Sequence, residues 1–344
     1  MIIRSKAPLR LGIAGGGTDI APYCDEFGGY VLNATISLYA HCSIEPMPES
    51  SQVIEFQALD FNQGLSYALC AKDLSSFALP LHVAVYRRIV KQFNNNQPLY
   101  LKISTYCDVP SGSGLGGSST LVVAMLKAYV EWLGLPLGEY EIAQLAFDIE
   151  RIDAKMSGGK QDQFSATFGG FNFMEFGKDH HVIVNPLRIK NWIIDELEES
   201  LLLYFTGVSR ASGSIIDQQI NNFKNKNTQA MEAMHDVKQD ALLLKNALLT
   251  GKLNLFAELL GKAWEAKKKM AFGIANSEIN HVYEIALKAG AISGKVSGAG
   301  GGGFMLFYCD PRKRLKVKEA LESCGGEVLP FEFVKEGTRG WRID

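Results

Sequence analysis

The run Pro110-Ser-Gly-Ser-Gly-Leu-Gly-Gly-Ser-Ser-Thr120 decides how the rest of the chain is read. It follows a stretch of strand character, Leu99 to Cys107, and leads into Ser118 to Leu133, where Leu121, Val122, Val123, Ala124, Leu126 and Ala128 leave almost no polar face. This order predicts a strand, a turn and a buried helix. Four glycines and four serines fall within Ser111 to Ser119. Gly112, Gly114, Gly116 and Gly117 remove the Cβ atoms that would keep a ligand off the backbone. The amides opening the next helix have no internal partners and carry the positive end of its dipole. A di- or triphosphate suits such a cradle.

Two familiar loops have similar spelling. Gly112 to Ser119 follows the P-loop pattern GxxxxGK[ST], except that Ser118 stands where the phosphate-binding lysine belongs, so a cation must come from elsewhere. Gly112-x-Gly114-x-x-Gly117 also spells the dinucleotide fingerprint, which calls for a helix and then a strand ending in an acidic residue. The next pattern here is instead a second helix. Glu139 to Ala154 repeats Ile142, Leu145, Ala146, Ile149 and Ile152 at helical spacing.

The 344 residues, 47% of them hydrophobic, are enough for two domains or one large one. A formal net charge of −2 gives no basic field for nucleic acid or an anionic membrane, so a small anion would be held by local cations. The six cysteines (Cys24, Cys42, Cys70, Cys107, Cys309, Cys324) show no metal-ligand spacing and no disulfide framework. Neither a signal peptide nor a run of 18 apolar residues is apparent, which makes the cytoplasm the expected address.

Along the chain, Met1 to Leu11 reads as a strand and Tyr30 to Pro46 as one or two more, joined by a glycine-rich connection holding Gly15, Gly16, Gly17, Thr18 and Asp19. Leu81 to Phe93 fits a helix. Phe168 to Phe176 and Val182 to Ile189 read as a hairpin, and Leu201 to Thr206 as a strand. A domain boundary is placed near the acidic stretch Asp195 to Ser200, dividing the chain into 1–195 and 196–344. The second part is helical from Gly213 to Gly290. It then alternates strands (Ala291 to Val296, Phe304 to Asp310, Glu327 to Val334) with a helix, Pro311 to Ser323.

Asp162 lies in a glycine-hinged loop, Ser157-Gly-Gly-Lys-Gln-Asp-Gln-Phe164. Alone it reads as a turn residue; facing the phosphate cradle, it could accept a hydroxyl proton and orient that oxygen toward phosphorus. Glu150 sits beside the apolar face of its helix, at the rim. Ser119 and Glu150 offer the one or two oxygens that magnesium takes from protein. Arg10 ends the first strand, where planar donors suit phosphate or carboxylate, and Asp19 suits sugar hydroxyls. Lys6 and Lys160 are further cations that read equally well as ordinary surface charges. Lys295-Val-Ser-Gly-Ala-Gly-Gly-Gly-Gly-Phe304 is a second glycine-rich turn, which either packs against a neighbouring loop or lines a ligand cleft.

Three glycine-rich segments in this order resemble the galactokinase, homoserine kinase, mevalonate kinase and phosphomevalonate kinase (GHMP) superfamily, over nearly the whole chain. Ala7-Pro-Leu-Arg-Leu-Gly with Gly17-Thr-Asp19 is similar to its first motif, Pro110 to Thr120 to its second and Lys295 to Phe304 to its third. The resemblance implies an α+β two-domain fold, with an N-terminal α/β domain containing a left-handed βαβ unit, a ferredoxin-like C-terminal domain and the active site between them. It implies that Pro110, Ser111, Gly112, Ser113, Gly114, Leu115, Gly116, Gly117, Ser118 and Ser119 hold ATP, with Ser119 and Glu150 on Mg2+. It makes Asp162 the catalytic carboxylate and Arg10 its basic neighbour. Gly16, Gly17, Thr18, Asp19, Lys160, Arg210, Gly300 and Gly301 are implied on the substrate side. Where the galactokinase motif reads Gly-Glu-His-Thr-Asp, this chain has Gly15-Gly-Gly-Thr-Asp19, so two polar sugar contacts are missing. The Gly-Gly-x-Thr-Asp form resembles the branch of heptose 7-phosphate kinases and the kinase portions of L-fucokinases. That branch implies phosphorylation of an anomeric hydroxyl, and chain length favours the heptose phosphate, whose own phosphate would need Lys6, Lys160, Arg210 or Arg339.

Overall fold

The computed structural model describes residues 1–60, 79–179, 181–209 and 213–344, together with the backbone of 67–68. Twelve strands are described. In chain order they are β1 (Ile2–Ala14), β2 (Gly29–Pro46), β3 (Ile54–Ala58), β4 (Tyr67–Ala68), β5 (Leu101–Cys107) and β6 (Phe171–Phe176). They continue with β7 (Val182–Pro186), β8 (Leu201–Phe205), β9 (Ala291–Val296), β10 (Phe304–Cys309), β11 (Glu327–Leu329) and β12 (Arg339–Ile343).

The first sheet runs β12-β1-β2-β5-β3-β4, with β6 and β7 branching from β2. The 18-residue β2 is one continuous strand that serves both branches: Gly29 to Ala34 pair with β6, and Ala40 to Pro46 with β5. β3 and β5 are parallel and are joined through the helix Pro80–Phe93, which makes the βαβ unit of this domain. The β1–β2 ladder slips between Pro8 and Arg10. Such a bulge turns the strand over. Ile3 and Ala7 accordingly enter one core cluster, with the helices Pro80–Phe93 and Gly117–Leu133, while Leu9, Leu11 and Ile13 enter another. The amide of Arg10 leaves the ladder and donates to Leu115 O of the glycine loop (3.2 Å).

The second sheet, β11-β8-β10-β9, is antiparallel throughout. Numbered within the domain its order is 4-1-3-2, with helical crossovers between the first and second and between the third and fourth strands. That is the ferredoxin-like arrangement. Four helices, Gly213–Lys224, Thr228–Leu249, Leu253–Lys268 and Ser277–Ala289, fill the first crossover.

The two halves share core. Leu9, Leu11 and Ile13 of β1 pack in one cluster with Leu201, Leu203, Leu260 and Leu306. Burying such side chains contributes roughly 1.5–3 kcal/mol each, so the halves are bound by apolar contact. Position 195/196 falls inside the helix Asn191–Ser200, and β12 returns from the second half to pair with β1.

Candidate active site

β5 delivers the chain to the glycine loop, and Gly116, in the left-handed region at φ 81°, opens the helix Gly117–Leu133. Ser111, Gly112, Gly114, Gly116, Gly117, Ser118 and Ser119 line a cleft of about 390 Å³. Pro110, Ser113 and Leu115 lie off that surface: Pro110 is exposed, Ser113 is buried and Leu115 packs in the core below. Between Gly112 and Gly116 the loop therefore offers alternate residues to the cleft, and from Gly116 to Ser119 it offers each residue.

Asp162 lies not in a loop but in the first turn of a short helix, Gln161–Phe168. Its carboxylate meets the glycine loop directly. A Cβ at Gly116 would lie 3.1 Å from Asp162 Cγ and 3.3 Å from Oδ2. Arg10 binds the opposite oxygen, with Nε 2.8 Å and Nη2 2.7 Å from Oδ1, and its Nη1 donates to Gly114 O at 2.7 Å. One guanidinium thus ties the carboxylate to the loop. Oδ2 has no hydrogen-bond partner among the described residues and faces the cleft side of Gly116.

Asp19 positions this helix. Its Oδ2 accepts from the amides of Lys160 (2.9 Å) and Gln161 (3.0 Å), and its Oδ1 from Gly17 N (3.0 Å) and Gln161 Nε2 (3.1 Å). A distant carboxylate thereby caps the orphan amides of the helix carrying Asp162. Gly16, Gly17 and Asp19 line the cleft. Thr18 does not: its hydroxyl is spent within the connection, 2.8 Å from Gly15 O and 3.0 Å from Tyr30 O.

Glu150 is fully buried rather than at a rim. The helix Glu139–Asp148 passes into a π turn, Ile149–Asp153, whose extra residue rotates the face. Ile152, expected in the core, is 59% exposed, and Glu150 points inward. Its Oε1 accepts from Ser118 Oγ (3.2 Å), and its Oε2 from Gln163 Nε2, which also donates to Ser119 Oγ (3.1 Å). The nearest cation, Arg151 Nη2, is 4.0 Å away. A buried carboxylate among neutral partners, beside two hydroxyls at the cleft, is a hard-oxygen donor set short of positive charge. It fits Mg2+.

Three cations line the cleft among the described residues: Arg10, Arg151 and Lys267. Arg151 gathers the carbonyls of Met156, Ser157 and Gly159 (3.2–3.4 Å), and so shapes the loop before Asp162. Lys267, from the helix Leu253–Lys268, donates to Gly298 O (2.6 Å), with Nζ 3.4 Å from where a Gly16 Cβ would be. Burial first, and then Arg10, pull its pKa down to about 8, while Asp19 and Asp162 oppose the shift. Sequence reasoning passed over Lys267. It carried a signal, because Phe256, Leu260, Ala263, Trp264 and Lys267 fall on one helical stripe whose other members are core. Gln219 is similar, following Ile215 and Ile216 on the buried face of Gly213–Lys224.

Among the described residues, Lys160, Lys6, Arg339, Gly300 and Gly301 do not line this cleft. Lys160 is buried with Nζ 5.9 Å from the Phe147 ring centre, away from the cleft lining. Lys6 and Arg339 border a separate surface hollow with Arg4 and Trp341. Arg210 lies outside the described residues. Gly300 and Gly301 turn toward Ile274 and Asn276, while their neighbour Gly298 reaches the cleft. The third glycine segment also packs on the second: side chains at Gly298 and Gly303 would overlap the backbone of Gly114 and Ser113.

A family model of the GHMP kinases N terminal domain matches residues 80–170, and one of the GHMP kinases C terminal matches residues 244–327. The chain belongs to the GHMP kinases. It is 50% identical to the D-glycero-alpha-D-manno-heptose 7-phosphate kinase of Campylobacter jejuni, over 99% of each chain. A solved D-glycero-D-manno-heptose 1-phosphate kinase from Bacteroides thetaiotaomicron is 47% identical and superposes with a TM-score of 0.83, again covering 99% of each chain. The L-fucokinase/L-fucose-1-P guanylyltransferase of Bacteroides fragilis is 24% identical, and the match covers 93% of this chain but 36% of that protein.

Proposed function

We propose that this chain transfers the γ-phosphoryl group of ATP to the anomeric hydroxyl of D-glycero-D-manno-heptose 7-phosphate, giving the 1,7-bisphosphate for nucleotide-activated heptose synthesis. The observation that carries the reaction class is the contact between the glycine loop and Asp162, which brings a phosphate cradle and a free carboxylate oxygen into one cleft. The choice of sugar is supported by the 50% identity to a heptose 7-phosphate kinase along the full chain.

In this reading the helix amides and Gly112 to Ser119 hold the triphosphate. Ser118, Ser119 and Glu150 would hold Mg2+, which when bound offsets negative charge on the β- and γ-phosphates. Asp162 Oδ2 accepts the hydrogen bond of the anomeric hydroxyl. As the sugar oxygen bonds to phosphorus, the bond from phosphorus to the β–γ bridging oxygen breaks and its electron pair leaves with ADP; the hydroxyl proton passes to Oδ2. Arg10 keeps Oδ1 fixed and, with Lys267, offsets charge on the transferring group. Positioning and fixed charge supply most of the acceleration.

Coupled ADP release over sugars and sugar phosphates, with phosphorus NMR of the product, tests the assignment. The heptose 7-phosphate should be the preferred acceptor and should gain a phosphate at the anomeric position. A strong preference for free L-fucose would reject it.

A further inference from the structure

Gln219 enters the cleft from the C-terminal half. It is 2% exposed, and its Oε1 has no hydrogen-bond partner. That oxygen lies 3.2 Å from the point where a Cβ at Gly17 would be, and Met270 Cε closes on the same point at 2.6 Å. Gln219 also borders the cleft, with Ile216 from the preceding turn. A buried carbonyl oxygen left without a partner is destabilising. The methyl of Met270, which meets the same point, is apolar and offers no donor.

We propose that Gln219 is a specificity-determining residue that binds a hydroxyl of the sugar acceptor. A hydroxyl meets the chemistry in either amide orientation, because it donates to Oε1 and accepts from Nε2. Gly17, held at φ 105°, has no side chain between its backbone and this amide, and an added Cβ there would overlap Met270 Cε and crowd Gln219 Oε1. The two missing polar contacts of the Gly15 to Asp19 segment are thus offset by one supplied from the facing half. A site built around a hydroxyl discriminates strongly against the analogue that lacks it.

The inference rests on the kinase reading, so wild-type ADP release with D-glycero-D-manno-heptose 7-phosphate is measured first, and its failure refutes that reading alone. Gln219→Met, nearly isosteric, should then raise the KM for the heptose phosphate about 10- to 100-fold, the range for a lost hydrogen bond to a buried group. The KM for ATP should stay within about twofold. Free Gln219→Met should melt no lower than wild type, since an unpaired amide is replaced by an apolar group. Monodeoxy heptose phosphates supply the second arm: one of them should lose affinity with wild type but not with Gln219→Met. If this variant does not fold, the deoxy series on wild type is read together with Gln219→Ala. An unchanged sugar KM, or equal losses for every deoxy analogue in wild type and variant, overturns the role of Gln219.

Discussion

Replacing Gly116 by alanine perturbs catalysis by crowding Asp162 from the glycine loop. The residue sits at φ 81°, where an L side chain costs roughly 1–2 kcal/mol. Its new methyl would lie 3.1 Å from Asp162 Cγ and 3.3 Å from Cβ and Oδ2. Ordinary contact begins near 3.4 Å, so Asp162 must yield by a few tenths of an ångström while Arg10 and Gly114 hold it. A displacement of about 1 Å at a reacting group costs about 100-fold, and a few tenths should cost on the order of tenfold in kcat. The matched control is Gly134→Ala, at the other end of the same helix. It has φ 64° and nothing within 4 Å of the added methyl. Both variants should lose a similar 1–2 kcal/mol by denaturant titration, and only Gly116→Ala should lose kcat. Steady-state ADP release reads the difference. Equal kcat for the two variants would refute the contact between loop and carboxylate.

Lys267 should impose an alkaline limb. With its pKa lowered to about 8, chiefly by burial, kcat/KM should fall as pH rises through 8. The charges around it are Arg10, Asp19, Asp162 and Lys295. Lys267→Arg keeps the charge and should flatten the limb; an identical pH profile would reject this role. The folded pKa lies below the unfolded value of 10.5, so the unfolded chain binds more protons between pH 8 and 10.5, and this group's contribution to stability rises with pH across that window. Below pH 8 the buried charge costs on the order of 3 kcal/mol. Lys267→Met should therefore melt higher than wild type at pH 7, and a lower melting point would contradict it. Glu150→Gln keeps the shape of the buried acceptor but removes its charge, so the Mg2+ concentration for half-maximal activity should rise at least about tenfold. An unchanged requirement would place the metal elsewhere.

The parts of the site legible in the sequence are those where backbone chemistry dictates residue type. Gly112 to Ser119 could be read because a left-handed turn and an open helix N-terminus demand small residues, and Ser118 to Leu133 because its apolar surface wraps round. A period of 3.6 carried past Asp148 puts Glu150 at a rim, but one π turn breaks that period. The helix of Asp162 looks like a loop in the sequence because its cap, Asp19, lies 141 residues from Lys160. Local signals do not record such a partner. β12 has no local signal for the same reason: five residues gain strand structure only by pairing with β1 at the other end of the chain. Lys160 has the right chemistry for a ligand, yet it packs by Phe147, while Asp19 lines the cleft and also gives its oxygens to four protein donors.

The most direct measurement is turnover and nucleotide affinity for Asp162→Asn, which keeps the shape of the side chain while weakening its pull on the acceptor proton. Single-turnover ADP formation should fall about 10²- to 10⁴-fold, and the Kd for ATP should stay within about twofold, because the loop amides are untouched. Undiminished turnover in a folded Asp162→Asn protein would contradict phosphoryl transfer at this carboxylate.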